Sequence, residues 1–84
     1  MNYSIEFTPS FEKQLRKLKN KDKVLFERLT KKLKEIKDTP EHYKPLSNVL
    51  SGTRRAHLNP FIIVFEVKNN VVIIHYVKHH DDAY

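Results

Sequence analysis

Cysteine does not occur among the 84 residues, glycine occurs once, and no apolar run approaches the length of a membrane span. The missing cysteines exclude disulfides, thiolate nucleophiles and cysteine-containing zinc sites. A membrane helix needs roughly 18 consecutive apolar residues, and no N-terminal signal pattern is present. We therefore expect no membrane partner and a cytoplasmic setting. At this length, residues 1–84 should form a single domain.

Positive charge is concentrated in one half of the chain. Residues 1–37 carry eleven Lys and Arg against five Asp and Glu, whereas residues 38–84 carry five of each. All five histidines lie in the second, neutral half. A basic half predicts a polyanion or an acidic protein as partner, and a histidine-rich half is where chemistry is expected.

Two helices are predicted in the basic half. The dipeptide Thr8-Pro9 is typical of a helix start, and apolar residues then recur at helical spacing over residues 9–19. The same periodicity predicts a second helix over residues 23–37. Pro40 ends it, because proline disfavours helical geometry at the residue before it.

Four segments have the alternation or the β-branched and aromatic content of strands. They cover residues 3–7, 53–59, 61–67 and 71–78. The predicted order is β-α-α-β-β-β, an α+β fold with a two-helix hairpin on one face of a small, mainly antiparallel four-stranded sheet. The most buried residues should include Leu15, Leu18, Leu29, Leu33, Phe65 and Ile73.

The sheet face away from the helices is the natural place for a ligand. Alternation places Arg55 and His57 on that face, and puts Arg54 on the core-side register near the sheet edge. His75 lies inside an apolar run and is interpreted as a packed histidine with a satisfied ring. A weaker interpretation is a metal site of His75, His79, His80 and Asp82. Even spacing would put His75 and His79 on one face, whereas adjacent His79 and His80 would point apart.

The segment Lys78-His79-His80-Asp81-Asp82-Ala83-Tyr84 follows directly on the last predicted strand. Its ammonium, imidazoles and phenol add acid–base groups to the cations of the strand before it. RNA can be cut by its own 2′-hydroxyl, which requires a proton acceptor, a proton donor and cations around the phosphorane. That reaction requires no metal and no other cofactor, so we expect none.

The passage KPLSNVLSGTRRAHL, the hairpin FIIVFEVKNNVVIIHYV and the closing KHHDDAY, in this element order, resemble the RelE/ParE superfamily of toxins. The most specific motifs are Leu-x-Gly-x-x-Arg at Leu50, Gly52 and Arg55, and His-x-x-x-Tyr at His80 and Tyr84. The resemblance implies a RelE-type mRNA interferase, an endoribonuclease that cleaves messages on the ribosome. It also implies an acidic RelB-like antitoxin bound in a hetero-oligomer.

Three sets of functional residues are expected, two of them implied by the resemblance and the third by the basic half of the chain. The catalytic set is Arg54, Arg55, His57, Lys78, His80 and Tyr84. The RNA-binding set is Lys44, Arg54, Arg55 and His79. The antitoxin-binding set, taken from the basic half, is Lys13, Arg16, Lys17 and Lys21.

One departure from the family pattern affects the site. The family often has an aromatic-Arg pair at the start of the middle strand of the meander, and this chain has Phe61-Ile62 there. A usual phosphate clamp is therefore missing. Two alternatives stay open: a ParE-like inhibitor that binds DNA gyrase without chemistry, and a non-catalytic basic RNA-binding domain.

Overall fold

The computed structural model of the chain describes residues 3–43 and 52–82. Its helices are α1 (Pro9–Lys21) and α2 (Lys23–Asp38), and its strands are β1 (Ser4–Phe7), β2 (Thr53–Leu58), β3 (Phe61–Lys68) and β4 (Val71–His79). Short 3-10 turns cover Pro40–His42 and His80–Asp82. The predicted order β-α-α-β-β-β is confirmed.

Two side-chain caps define the helical hairpin. The Thr8 hydroxyl accepts a hydrogen bond from the backbone N–H of Phe11 at 3.1 Å, which makes Thr8 the N-cap of α1. Asp22 ends α1 and begins α2, because its carboxylate accepts from the N–H of Leu25 at 3.1 Å. Each such cap contributes about 1 kcal/mol. The helices are thus joined through a single residue, which places them side by side.

The sheet has the strand order β1-β4-β3-β2. β1 runs parallel to β4, and the other neighbours are antiparallel. The connection between β3 and β4 is a two-residue turn in which Asn69 and Asn70 have φ angles of 51° and 64°, values typical of tight hairpins. Because of the strand order, β2 is an edge strand, and β3 and β4 form the centre of the sheet.

Both helices pack on one face of this sheet. The core consists of Phe11, Leu29, Leu33, Ile36, Ala56, Ile63, Phe65, Val72 and Ile74. Leu29, Leu33 and Phe65 are therefore core residues as predicted, whereas Leu15 and Leu18 are only partly buried against the core. The prediction for Ile73 is wrong, since its neighbours Val72 and Ile74 supply the core side of β4.

A β-bulge explains that error. Val64 pairs with Tyr76 and Phe65 pairs with Ile74, so His75 is the extra residue of β4 at this point. The strand is apolar at nearly every position, and alternation alone could not determine which residues face the helices. No helix in the part of the chain described by the structure is long and apolar enough to cross a membrane.

Candidate functional site

The sheet face turned away from α1 and α2, here called the open face, carries side chains in rows across β2, β3 and β4. The central row consists of Arg55, Val64 and Tyr76. On one side of it lies the row His57, Ile62 and Lys78, and on the other the row Thr53, Glu66 and Ile73. Successive rows on one face are about 7 Å apart along the strands.

The middle of the open face is an apolar floor. Ile62 is 1% exposed and Val64 is 6% exposed, although neither belongs to the core under the helices. Long side chains flank them, from β2 on one side and from β4 on the other. Those outer strands are about 10 Å apart, because β3 lies between them. The face therefore has a desolvated floor with polar groups on both sides.

Four of the predicted catalytic residues meet on this face. Arg55 and His57 project from β2, and Lys78 projects from β4 with its Nζ 5.4 Å from the centre of the Tyr76 ring. The rings of His57 and His80 have centroids 6.3 Å apart. His80 is held there because its backbone N–H donates to the Pro60 carbonyl at 2.7 Å. Two permanent cations and two imidazoles thus surround the apolar floor.

Arg54 is placed differently from the other four. It lies on the helix-side register of β2, and its Nη1 donates to the Tyr43 carbonyl at 2.7 Å. The Tyr43 ring packs edge-on against Phe65 with a centroid distance of 5.7 Å. Arg54 therefore ties the segment after α2 to the edge of the sheet, and the structure does not bring it to the open face.

His79 also points away from the open face. Its ring packs against Phe61 at a centroid distance of 5.6 Å, and it lines a cleft together with residues of α1 and α2. The bulge therefore separates His79 from His75, and the expectation that these two histidines share a face is wrong. Among the described residues no group of three or more His, Asp or Glu side chains could hold a metal ion. Lys44 and Tyr84 lie outside the described residues.

The structure adds a pair that sequence reasoning missed. His75 Nε2 and Glu66 Oε1 lie 2.9 Å apart on the open face. His75 was expected to be packed, and it is half-buried, with a partner for its ring. Only the outward register of Glu66 was predictable, because the position of the bulge decides which way His75 points.

The predicted antitoxin-binding residues, Lys13, Arg16, Lys17 and Lys21, are all exposed on α1. Lys17 and Lys21 border a cleft of about 380 Å³ between the helical hairpin and the end of the sheet. Its wall is mostly apolar and consists of Leu18, Leu25, Leu29, Leu58, Phe61 and Val77, with Gln14 and His79. At the start of α2, Val24 is 70% exposed. Basic charge and exposed apolar surface therefore occur together at this end of the hairpin.

The comparisons with known proteins agree with this architecture. The sequence profile of the family described as ParE toxin of type II toxin-antitoxin system, parDE, matches residues 5–84. The protein RelE4 of Methanocaldococcus jannaschii is 40% identical over 85 residues, covering 98% of this chain and 90% of that protein. The chain is a toxin of the type II toxin–antitoxin class. It belongs to the ParE toxin family, within the RelE/ParE superfamily.

Solved structures show the same fold. The toxin–antitoxin complex RelBE2 from Mycobacterium tuberculosis matches with a TM-score of 0.80 at 22% identity, covering 94% of this chain and 99% of that one. The intact RelBE complex of E. coli matches with a TM-score of 0.74 at 25% identity, covering 92% and 95%. The YoeB–YefM complex from Staphylococcus aureus matches with a TM-score of 0.79 at 19% identity, covering 95% and 99%.

Proposed function

We propose that the open face binds single-stranded messenger RNA and cleaves it by attack of a 2′-hydroxyl on the adjacent phosphorus. The observation that carries this proposal is the convergence of Arg55, His57, Lys78 and His80 around the floor of Ile62 and Val64. A phosphate that lies against this dry floor interacts more strongly with the neighbouring cations than it would in bulk water. A pure binding surface would not require two neighbouring imidazoles.

Each group has a role in the proposed reaction. The 2′-oxygen forms a bond to phosphorus as the bond to the 5′-oxygen breaks, and the products are a 2′,3′-cyclic phosphate and a free 5′-hydroxyl. Arg55 and Lys78 stabilise the negative charge that grows on the phosphorane oxygens. His57 and His80 lie on one side of the Arg55 row, and one of them gives a proton to the departing 5′-oxygen, while a base on the other side of that row takes the proton of the 2′-hydroxyl. All of these groups belong to the chain, so the proposed reaction uses no cofactor.

The substrate is proposed to be a message held on the ribosome. RNA recognition of this kind acts on unpaired, splayed nucleotides, and a ribosome-bound message presents its codons in that form. The exposed rings of the open face suit stacking on such bases. Arg54 stays a candidate for binding the RNA backbone from the sheet edge, and Lys44, His79 and Tyr84 stay candidates by resemblance to the family.

Mapping of message ends tests this function. Expression of the toxin in a cell-free translation reaction should produce new 5′ ends within the translated message, detected by primer extension. The same message without ribosomes should be cut more slowly. Intact messages in the presence of folded toxin and active ribosomes would contradict the proposal.

Inhibition of DNA gyrase is the second candidate, and one observation favours it. Ile62 belongs to the floor of the open face, at a position where an arginine often stands in the family, so one usual phosphate contact is missing. Loss of gyrase supercoiling activity in the presence of the toxin, with messages intact, would support a role by binding alone. The same protein preparation, tested in both assays, therefore distinguishes the two candidate functions.

We also propose that an acidic, RelB-like antitoxin covers the cleft bordered by Lys17 and Lys21 and forms a hetero-oligomer with the toxin. Apolar residues of such a partner would bury the cleft wall and Val24, while its acidic residues would meet the basic surface of α1. The two RelBE complexes named above contain a toxin of this fold with its antitoxin. Co-expression of the partner should abolish growth arrest, and the two chains should co-purify.

A further inference from the structure

The β-bulge in β4 turns His75 onto the open face. In a regular strand, neighbouring residues alternate between faces, but here both His75 and Tyr76 lie on the side away from the helices. Thr8 holds this irregular segment, because its hydroxyl donates to the His75 carbonyl at 2.8 Å and its N–H donates to the Ile74 carbonyl at 3.1 Å. Bulges are frequent beside active sites, where they redirect a side chain.

The contact between His75 and Glu66 determines which ring nitrogen is available. A carboxylate can only accept hydrogen bonds, so the Nε2–H of His75 donates to Glu66 Oε1 across 2.9 Å. In the neutral ring the lone pair is then on Nδ1. Among the side chains described for residues 3–43 and 52–81, none is hydrogen-bonded to that Nδ1. The side chains of His75 and Glu66 are 32% and 31% exposed, so a substrate can reach the pair.

The pair also lies on the correct side of the phosphate-binding row. Glu66 and His75 are on one side of the Arg55 row, and His57 and His80 are on the other. In-line displacement at phosphorus requires the attacking oxygen and the departing oxygen on opposite sides of the phosphorus atom. With about 7 Å between rows, side chains from both sides can reach a phosphate held by Arg55.

We propose that His75 is the general base of the reaction and that Glu66 is its positioning residue. This inference rests on the proposed RNA cleavage. His75 Nδ1 accepts the proton of the 2′-hydroxyl as the 2′-oxygen bonds to phosphorus, and the carboxylate of Glu66 stabilises the imidazolium that results. The proton that leaves with the 5′-oxygen comes from the histidines across the Arg55 row, so each proton has a donor and an acceptor.

The charged neighbours of the pair come from three strands. Glu6 on β1 pairs with Ile73 and faces the same side, Lys68 follows on β3, and Arg55 lies on β2. Glu66 is the group among these that bonds to the His75 ring. Glu66 therefore determines the orientation and the tautomer of this ring.

Single-turnover cleavage of a ribosome-bound message, measured over a series of toxin concentrations to separate the maximal rate from the half-saturating concentration, tests the dyad. His75→Gln keeps a donor toward Glu66 but cannot accept a proton, and should reduce the rate by about 10²-fold or more. Glu66→Gln keeps the hydrogen bond but not the charge. It should lower the maximal rate and leave the half-saturating concentration unchanged, because the carboxylate acts on the imidazolium that forms during the reaction. Glu6→Gln, with the same charge change on the same face, should leave both quantities unchanged.

Two further measurements check the fold of each variant and the tautomer of His75. Thermal unfolding of each variant shows whether the fold is kept, and nitrogen NMR of the wild-type ring should find the neutral His75 protonated at Nε2. Wild-type cleavage by His75→Gln, or a ring protonated at Nδ1, would overturn the base role while the proposed function stands. A wild-type maximal rate in Glu66→Gln would overturn the positioning role. A wild-type toxin that cuts no message would overturn both the dyad and the proposed function.

Discussion

Arg55 occupies the central row of the open face, next to the buried side chain of Val64. A guanidinium at this position can donate two parallel hydrogen bonds to a phosphate, and removing one such donor typically costs about 10² to 10³ in rate. Arg55→Ala should therefore abolish growth arrest and reduce message cleavage by that factor. Arg16→Ala, which removes an exposed arginine from α1, is the matched control and should cleave normally. Full toxicity of Arg55→Ala at equal expression would exclude this role.

Tyr3 and Glu41 shift each other's pKa. The Tyr3 hydroxyl donates to the Glu41 carboxylate, which lowers the pKa of Glu41 below its usual 4.5 and raises the pKa of Tyr3 above 10.0. The charge of Arg54 lowers the pKa of Glu41 further. A depressed carboxyl pKa contributes stability above the unfolded value that is lost as pH falls through the folded value. A raised tyrosine pKa contributes stability that is lost as pH rises through its folded value.

Tyr3→Phe should therefore return the pKa of Glu41 toward 4.5. The stability that this contact contributes above the unfolded pKa of Glu41, and that the wild type loses in acid, should disappear with it. Carbon-detected NMR titration of the Glu41 carboxyl gives the measurement. Tyr76→Phe removes a hydroxyl from the opposite face and should leave the Glu41 titration as it is. An unchanged titration in Tyr3→Phe would show that the hydroxyl is not the cause of the shift.

At the level of single residues, the candidate site could be predicted in part from the sequence. Arg55, His57, Lys78 and His80 were identified because cations and imidazoles lie in or beside segments with clear strand character. The Glu66–His75 pair was not, since it depends on one extra residue in a strand with apolar side chains on both sides. Arg54 is the converse case. It was predicted to belong to the site because it is basic, but its side chain donates to the Tyr43 carbonyl and stabilises the edge of the sheet.

β4 is completed on one edge by groups from two other elements. β1 pairs with residues Val71 to Ile74 of β4. Farther along the same edge, the Gln14 side chain is hydrogen-bonded to the backbone of β4. The Gln14 amide donates to the Val77 carbonyl and accepts from the Val77 N–H, each at 2.9 Å. Gln14 thus occupies the place of a strand backbone. A side chain of α1 thereby fixes the part of β4 between the bulge and Lys78.

Gln14→Ala should destabilise the fold by about 1–3 kcal/mol, because partly buried backbone groups lose their partners. Chemical denaturation measures the change in the free energy of unfolding. Lys13→Ala, one residue away and exposed, should change it by no more than about 0.5 kcal/mol. Equal stability of the two variants would mean that water replaces the amide without cost.

Helices and strands were predicted best where the local sequence pattern was strong. The helix starts at Pro9 and Lys23 were predictable because Thr8 and Asp22 cap them with short polar side chains. The parallel pairing of β1 with β4 and the bulge depend on contacts between distant parts of the chain. No local pattern encodes such contacts. This explains why strand positions were close to the observed ones while the orientation of Ile73 was wrong.

Over the whole molecule, charge and chemistry are divided between the two layers. The net charge of +6 lies in residues 1–37, which form β1 and the helical hairpin, while the proposed reaction occurs on the opposite side of the sheet. An acidic partner attracted by the hairpin therefore need not compete with RNA for the same cations. Both surfaces favour anions, so binding to either one should weaken as salt rises.

Long-range attraction should control how fast the antitoxin finds the hairpin. Lys17→Glu with Lys21→Glu reverses the charge at the cleft, so association with the antitoxin selected by growth rescue should slow at low ionic strength and lose much of its salt dependence. Lys34→Glu with Lys37→Glu makes the same change in net charge farther along α2. Since helices rise about 1.5 Å per residue, those positions lie about 7.5 Å or more along the helix axis from Leu29, the last cleft residue of α2, and should slow association less. Stopped-flow measurements over a salt series give the comparison. Equal slowing by both pairs would show that only total charge matters, and would remove the cleft from the proposed antitoxin surface.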